Sequence, residues 1–151
     1  MVKLLDSHGA EIDALDYDQM TPFYYAILSE KLNIVEYLLG RGANIEHKDC
    51  QDRTPFYWAC CQSSVTVIKY LYSKGCDINA KSRLKRSPLS KAAYTGRADV
   101  VELLIGLKGI DMESVDSKNS RPLHNAVWGK TGGRDGKRVG STQKEDCPEA
   151  A

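Results

Sequence analysis

The sequence predicts an all-α solenoid built from helix–turn–helix repeats of about 33 residues joined by hairpin-like turns. The first observation is a recurring proline, at Pro22, Pro55, Pro88 and Pro122, with steps of 33, 33 and 34 residues. The second is a small residue four positions after every proline. A fixed period of this length indicates stacked structural repeats, each too small to bury its apolar faces alone. The four small residues are Ala26, Ala59, Ala92 and Ala126.

The physical design of one repeat is visible in residues 17–49. Thr21 is a suitable N-cap, because its hydroxyl can accept a hydrogen bond from a free N–H of the first turn, and Pro22 suits the first helical position. Ala26 is small where two helices approach closely. Leu32 to Gly40 carry an apolar stripe at helical spacing and predict a second helix. Gly42 follows it, where a left-handed residue ends a helix at little cost.

These motifs closely resemble the ankyrin repeat, whose pattern is Thr-Pro-Leu-His-x-Ala, two helices and Gly-Ala-Asp-Val-Asn-Ala. Residues 76–80 are the closest copy of the final turn motif. The family His is replaced by Tyr24, Tyr57 and Ser90 and returns only at His124. The sequence therefore does not predict the hydrogen bonds that this His makes between neighbouring turns.

A second departure concerns the glycine that the family places between the two helices. This position holds Glu30 and Ser63 in the first two full repeats, and glycine survives only as Gly96. Arg121 stands where the family has its capping Thr, so the first helix of the fourth repeat is expected to lack that cap.

The register predicts five segments, and the chain reads as a piece of a longer array. The outermost segments are expected to be incomplete, because the first lacks a front helix and the last is interrupted by a glycine-rich, basic stretch. The segments are 1–16 (second half of a truncated repeat), 17–49, 50–82, 83–116 (a repeat with one inserted residue) and 117–151 (a partial repeat with a flexible insert at 130–146).

Composition argues against several classes of function. Net charge is +1, and the chain lacks the apolar run of about 18 residues that a membrane helix needs. The five cysteines are odd in number and form no C-x-x-C pair, which indicates reduced thiols in the cytoplasm or nucleus rather than disulfides or zinc. We expect no enzyme, metal or cofactor, because no nucleophile–base or paired-carboxylate pattern appears. The glycine-rich stretch has the wrong spacing for a phosphate loop.

The resemblance implies a protein–protein interaction module that binds its partner through a concave face. The family's contact positions lie at the turn tips and on the inner faces of the first helices. Any one of them taken singly is more often a neutral surface residue. Carried onto this sequence, they are Tyr17, Asp18, Met20, Leu28 and Ser29; Cys50, Gln51, Arg53, Cys61 and Gln62; Arg83, Leu84, Arg86, Tyr94 and Thr95; and Ser117, Lys118, Ser120 and Trp128.

Charge is unevenly distributed, with 7 basic and 11 acidic residues in the first 80 positions and 14 and 9 in the rest. This favours a protein partner that carries an acidic patch, and it favours neither nucleic acid nor a membrane. We expect the module to be a monomer. Reversing Arg83 and Arg86 is expected to weaken binding and leave stability nearly unchanged. Ser141 is a candidate phosphorylation site, and the resemblance implies Asn79 as a hydroxylation site. The chain could instead be the recruitment or regulatory arm of a larger enzyme or channel, or a structural part of an assembly.

Overall fold

The computed structural model describes residues 1–130. In that part of the chain it is all-helical, which confirms the predicted fold class, and it contains no strand. The second helix of the first full repeat begins and ends where the sequence predicts, at Leu32 and Gly40. The helices are α1 (Val2–Ser7), α2 (Pro22–Leu28), α3 (Leu32–Gly40), α4 (Pro55–Gln62), α5 (Val65–Ser73), α6 (Pro88–Tyr94), α7 (Ala98–Ile105) and α8 (Pro122–Lys130).

The helices pack as a stack of pairs. The first helices of successive repeats contact one another in the order α2, α4, α6, α8, and each of α2, α4 and α6 also contacts the second helix of its own repeat. One continuous core runs between the two layers, and it includes Phe23, Ala59, Leu71 and Leu104. α1 lies against α3, where the Asp6 carboxylate accepts hydrogen bonds from Tyr37 and Arg41.

Helix caps at the recurring proline motif differ between repeats. The hydroxyl groups of Thr54 and Ser87 accept hydrogen bonds from the N–H groups of Tyr57 and Ser90, at 3.2 and 3.1 Å. The same expectation is wrong for Thr21, which occupies the N-cap position without a side-chain cap. Its hydroxyl is fully buried and has no hydrogen-bond partner within the described residues. The first full repeat is therefore less well capped than the second and third.

Helix ends follow the glycine pattern where glycine is present. Gly42 and Gly75 adopt φ of 91° and 80°, as predicted for residues that end the second helices. Between the two helices, Gly96 has φ of 72° and Glu30 has φ of 55°, so a glutamate occupies a conformation that favours glycine. Ser63 occupies the equivalent junction with a different backbone conformation, φ of −99°. Its hydroxyl donates to the carbonyl of Ile27 at 2.9 Å.

The cysteines only partly follow the expectation of reduced thiols. Cys60, Cys61 and Cys76 are free, and Cys60 is fully buried in the core. Cys50 is disulfide-bonded, so the expectation is wrong at that position.

Candidate protein-binding surface

An aspartate organises the turn before most of the first helices. The backbone N–H of Gln51 and that of Arg53 each donate to Oδ1 of Asp49 at 2.9 Å. Asp16 and Asp116 fold their own turns by the same two bonds, while Ser82 stands at this position in the third repeat. The sequence signal for this row is an aspartate six residues before Pro22, Pro55 and Pro122, which the predicted contact positions did not include.

The tip of each turn holds a non-glycine residue in the left-handed conformation. The four residues have φ between 56° and 58° and stand three positions before the proline, so the turns share one backbone shape. All four residues are exposed. They are Gln19, Asp52, Lys85 and Asn119.

Successive turns are joined by one backbone hydrogen bond each. An N–H at the start of every turn donates to a carbonyl in the turn of the preceding repeat, at 2.8–3.0 Å. The turns therefore form one row, which brings the sequence-predicted tip residues together on a single surface. The donor–acceptor pairs are Cys50 to Asp18, Arg83 to Gln51, and Ser117 to Leu84.

Tyr24 takes over the hydrogen-bonding role that the sequence left unassigned. Its hydroxyl lies 2.6 Å from the carbonyl oxygen of His47 and 2.7 Å from that of Arg53, so its single proton can bond either one. Tyr24 is completely buried, and burial raises the pKa of its phenol far above the usual range. In the third repeat, Ser90 and Ser114 bond the hydroxyl of Ser87 instead.

The structure separates the predicted contact residues into three classes. Two are buried, and we leave Met20 and Gln51 out of the binding surface for that reason. Eight are partly buried: Leu28, Cys50, Arg53, Cys61, Leu84, Arg86, Tyr94 and Ser120. Nine are exposed: Tyr17, Asp18, Ser29, Gln62, Arg83, Thr95, Ser117, Lys118 and Trp128. We call these seventeen residues the inner surface.

Arg53 is held by Asp49 and Trp58, and the sequence alone did not predict these contacts. Asp49 has a fully buried carboxylate, whose Oδ2 accepts from Arg53 Nε and from Trp58 Nε1, both at 2.8 Å. The Arg53 guanidinium lies 4.4 Å from the centroid of the Trp58 ring. Arg53 is thus fixed in place and presents a rigid cationic edge at the centre of the inner surface.

The two arginines of the third repeat have different environments. Arg83 is exposed and has only a long contact of 3.9 Å with Asp52, which is itself exposed. Arg86 is largely buried, lies 3.7 Å from the buried carboxylate of Asp116 and stacks 5.7 Å from the Tyr94 ring centroid. Arg86 is therefore not an exposed side chain, and we expect its reversal, unlike that of Arg83, to lower stability.

The pKa of Asp116 reflects this network. Burial acts to raise the pKa, but the N–H groups of Ser120 and Lys118 and the charge of Arg86 outweigh it, and the pKa is lowered. Asp116 is consequently a stable anion that fixes both its own turn and Arg86.

Charge is sorted along the row of turns. The tips of the first two full repeats carry Asp18 and Asp52, and the next two carry Arg83, Lys85 and Lys118. All five side chains are exposed. The row therefore changes from acidic to basic in the direction of the chain.

Within residues 1–130, the structure favours neither a reactive thiol nor a metal site. Burial raises the pKa of the Cys61 thiol to about 12, and Sγ lies 3.1 Å from the carbonyl oxygen of Tyr57. Cys61 is only partly exposed. Over the same range, no three side chains of His, Cys, Asp or Glu lie together in a way that could hold a metal ion. No helix there is long and apolar enough to cross a membrane.

Asn79 has a structural part in the stack. Its Nδ2 donates to the carbonyl of Gly109 at 2.8 Å, and its Oδ1 accepts from the N–H of Asp111 at 2.9 Å. The side chain thus joins the third full repeat to the one before it. Its hydroxylation remains an expectation. The other candidate modification site, Ser141, lies outside the described residues, as does the insert beyond residue 130.

Comparison with protein families agrees with this geometry. The model described as ankyrin repeats (3 copies) matches residues 1–82, and the model described as ankyrin repeat matches residues 85–120. The fold and its row of turns define a repeat protein of the interaction-module class. The chain belongs to the ankyrin repeat family. No curated protein matches the chain.

Proposed function

We propose that this chain is a non-catalytic module that binds one partner protein across the inner surface. The observation that carries the proposal is the hydrogen-bonded row of turns, which aligns exposed side chains from four repeats at fixed spacing. Such a surface is preorganised, because its backbone is ordered before a partner arrives and little entropy is lost on binding.

The proposed contact residues are the members of the inner surface, and aromatic and arginine side chains are its anchors. Tyr17 is fully exposed at one end and Trp128 is 71% exposed at the other. Arg53 and Tyr94 lie between them, each already stacked with a neighbouring ring or cation. Tyr, Trp and Arg are the residues that most often dominate binding energy.

The charge order supports a partner that lies in one direction. Its acidic part is proposed to face Arg83, Lys85 and Lys118, and its basic part Asp18 and Asp52. We propose that the module is a monomer and works inside the cell, a setting that keeps Cys60, Cys61 and Cys76 free. The same setting does not explain the disulfide at Cys50.

Photo-crosslinking tests the assignment of the surface. A photoreactive amino acid at Thr95, exposed on the inner surface, should give a specific adduct with the partner. The same group at Lys69, exposed on α5, is the matched control and should give none. Equal adducts at both positions, or an adduct from Lys69 alone, would move the binding site to the second helices.

A further inference from the structure

The second and third full repeats carry cationic and aromatic side chains at three positions that recur after 33 residues. All six side chains are partly exposed, and none of them is acidic. Trp58 and Lys91 were not predicted as contact residues, although each stacks with a member of the inner surface. We call this set the middle patch, and its equivalent pairs are Arg53 and Arg86, Trp58 and Lys91, and Cys61 and Tyr94.

The repeats on either side lack these cations. None of their residues at the three positions is charged, so at these positions positive charge is confined to the middle of the stack. The charge of the middle patch is therefore a feature of this chain and not a requirement of the repeat. The equivalent residues are Met20, Tyr25 and Leu28 in the first full repeat and Ser120, Asn125 and Trp128 in the fourth.

Arg53 is oriented by Asp49 and Trp58 so that part of its guanidinium is still available. Its Nε–H donates to Oδ2 of Asp49 at 2.8 Å, and the group lies 4.4 Å from the Trp58 ring centroid. Within residues 1–130, no acceptor bonds its two terminal nitrogens. A guanidinium held in this way offers a flat fork of donors, and such a fork matches the two oxygens of a carboxylate.

Lys91 supplies a positive charge without a carboxylate beside it. Its Nζ lies 5.5 Å from the Tyr94 ring centroid, and it forms no ion pair with any residue that the structure describes. Arg86 lies 5.7 Å from the same centroid, so one ring holds two cations. Asp116 offsets part of the charge of Arg86, and a bound anion would relieve the repulsion that is left.

The charges of the middle patch act on the same two neighbouring groups. Burial raises the pKa of the Cys61 thiol to about 12, while the charges of Lys91 and Arg53 act to lower it. Burial also raises the pKa of the Tyr57 phenol, and the charges of Arg86 and Arg53 act to lower that value. The three cations therefore lie around one small region where α4 and α6 meet.

We propose that the middle patch anchors one carboxylate side chain of the partner protein, bound by Arg53 and Lys91 beside the rings of Trp58 and Tyr94. This inference rests on the proposed function, since it assigns the recognition of one partner residue to part of that surface. Asp49 already offsets the charge of Arg53, so the charge left to neutralise is that of Lys91. A single carboxylate matches it more closely than a phosphate group, which carries nearly two charges.

The remainder of this chain is a weaker candidate for the occupant. Residues 131–151 contain four basic and four acidic side chains, so their side chains carry no net charge that would draw them to a cationic site. They also contain no aromatic residue to pack against Trp58 or Tyr94. A partner with an acidic segment provides the charge that the middle patch lacks.

A small probe tests the site in the full chain. The probe is N-acetylglutamate N-methylamide, and the corresponding glutamine derivative is its neutral control. At constant ionic strength, the glutamate derivative should shift the ¹⁵N–¹H signal of Trp58 Nε1 with a Kd of about 10 mM or tighter, and the glutamine derivative should not. Trp128→Phe assigns the two indole signals.

Variants of Lys91 test the role of its charge. Lys91→Gln should weaken binding of the probe about fivefold or more, and Lys91→Arg should restore it. Lys69→Gln, at an exposed lysine of α5, is the matched control and should bind as the unaltered protein does. Lys91→Gln breaks no ion pair within residues 1–130, so the rest of its amide spectrum should be unchanged.

Other outcomes overturn the proposal. Equal shifts from the two derivatives, or equal affinities of Lys91→Gln and the unaltered protein, would mean that the middle patch does not recognise a carboxylate. Tighter binding of inorganic phosphate would assign the site to phosphate. Replacing the four acidic side chains of residues 131–151 by their amides should leave the Trp58 signal in place. A shift in that variant would make the chain's own segment the occupant.

The crosslinking result separates failure of this anchor from failure of the proposed function. If Thr95 crosslinks the partner but Lys91→Gln leaves the affinity for the partner unchanged, the inner surface stands and the anchor is rejected. If only Lys69 crosslinks the partner, both are rejected. A crosslink at Thr95 together with weaker binding of the partner by Lys91→Gln supports both.

Discussion

Glu30 is one of the non-glycine residues whose backbone lies in the left-handed region. It adopts φ of 55° at the junction of α2 and α3, where the third full repeat has Gly96. A side chain in the left-handed region costs about 1–2 kcal/mol, because Cβ approaches the following carbonyl oxygen. The first full repeat therefore keeps a local strain that a glycine would remove.

We expect Glu30→Gly to raise the free energy of unfolding by about 0.5–1 kcal/mol, the strain relieved less the greater flexibility of glycine in the unfolded chain. Urea unfolding measures it. The matched control is Ser63→Gly at the next junction, where φ is −99° and the hydroxyl bonds Ile27. That change should destabilise by about 1–2 kcal/mol. Equal effects at both junctions would contradict the account of strain.

Arg86 and Arg83 provide a second test at single residues. Arg86→Glu places a carboxylate beside the buried anion of Asp116, and we expect a loss of about 2–3 kcal/mol in stability. Arg83→Glu changes an exposed side chain, and the shift should stay within about 0.5 kcal/mol. Thermal or urea unfolding of the two single variants decides the matter. Indistinguishable stabilities would mean that the Arg86–Asp116 contact is unimportant.

At the scale of elements, α1 is the most weakly held helix. It has no fully buried residue, although Val2 packs against the core. Its polar attachment consists of Asp6 with Tyr37 and Arg41, and of the Lys3 cation 5.4 Å from the Tyr37 ring centroid. The hydrogen bond from Tyr37 and then that from Arg41 lower the pKa of Asp6 below 3.8. The same bond to Asp6 raises the pKa of Tyr37 above 10.0.

The docking of α1 should accordingly depend on pH at both extremes. Because the pKa of Asp6 is lowered on docking, stability is complete above 3.8 and is lost as pH falls through the docked value. Because the pKa of Tyr37 is raised, stability is complete below 10.0 and is lost as pH rises through the docked value. Hydrogen exchange of residues 2–7, with α5 as internal reference, measures this. Tyr37→Phe should remove the alkaline loss, and an unchanged profile would contradict the assignment.

The sequence predicted these elements well because their causes are local or periodic. Pro22 and Ala26 mark the first helix, and Gly42 marks the end of the second, since helix starts and ends depend on neighbours in the chain. The surface was predicted less well. Met20 and Gln51 occupy contact positions of the family, yet the turn folds their side chains inward, and that depends on Asp16 and Asp49 with their hydrogen bonds.

Tyr24 shows why contact between repeats is harder to predict. Nothing local in the sequence says that its hydroxyl reaches the carbonyl groups of His47 and Arg53, because these lie 23 and 29 positions further along the chain. Only the position of Tyr24 in the repeat, where the family has His, hints at the role. Prediction of such bonds needs the stacking distance between repeats, which a single sequence does not contain.

At the scale of the whole molecule, the sorted charges should act mainly on association. Reversing Arg83, Lys85 and Lys118 together to Glu should weaken binding of the partner about tenfold or more, or about 1.4 kcal/mol, chiefly through a slower association rate. The rate for the unaltered protein should fall as salt rises. Surface plasmon resonance at several salt concentrations measures both. Lys69→Glu on α5 is the charge-matched control, and an equal effect there would indicate nonspecific attraction.

The bonds between turns also bear on how the molecule would respond to a pulling force. Neighbouring repeats share a backbone bond at the turn, as from Arg83 to Gln51, and packing between helices. Once the disulfide at Cys50 is reduced, tension applied to the two ends should therefore peel one repeat at a time. Each released repeat of 33 residues adds up to about 110 Å of extended chain. Under force, the stack should therefore lengthen in steps of equal size.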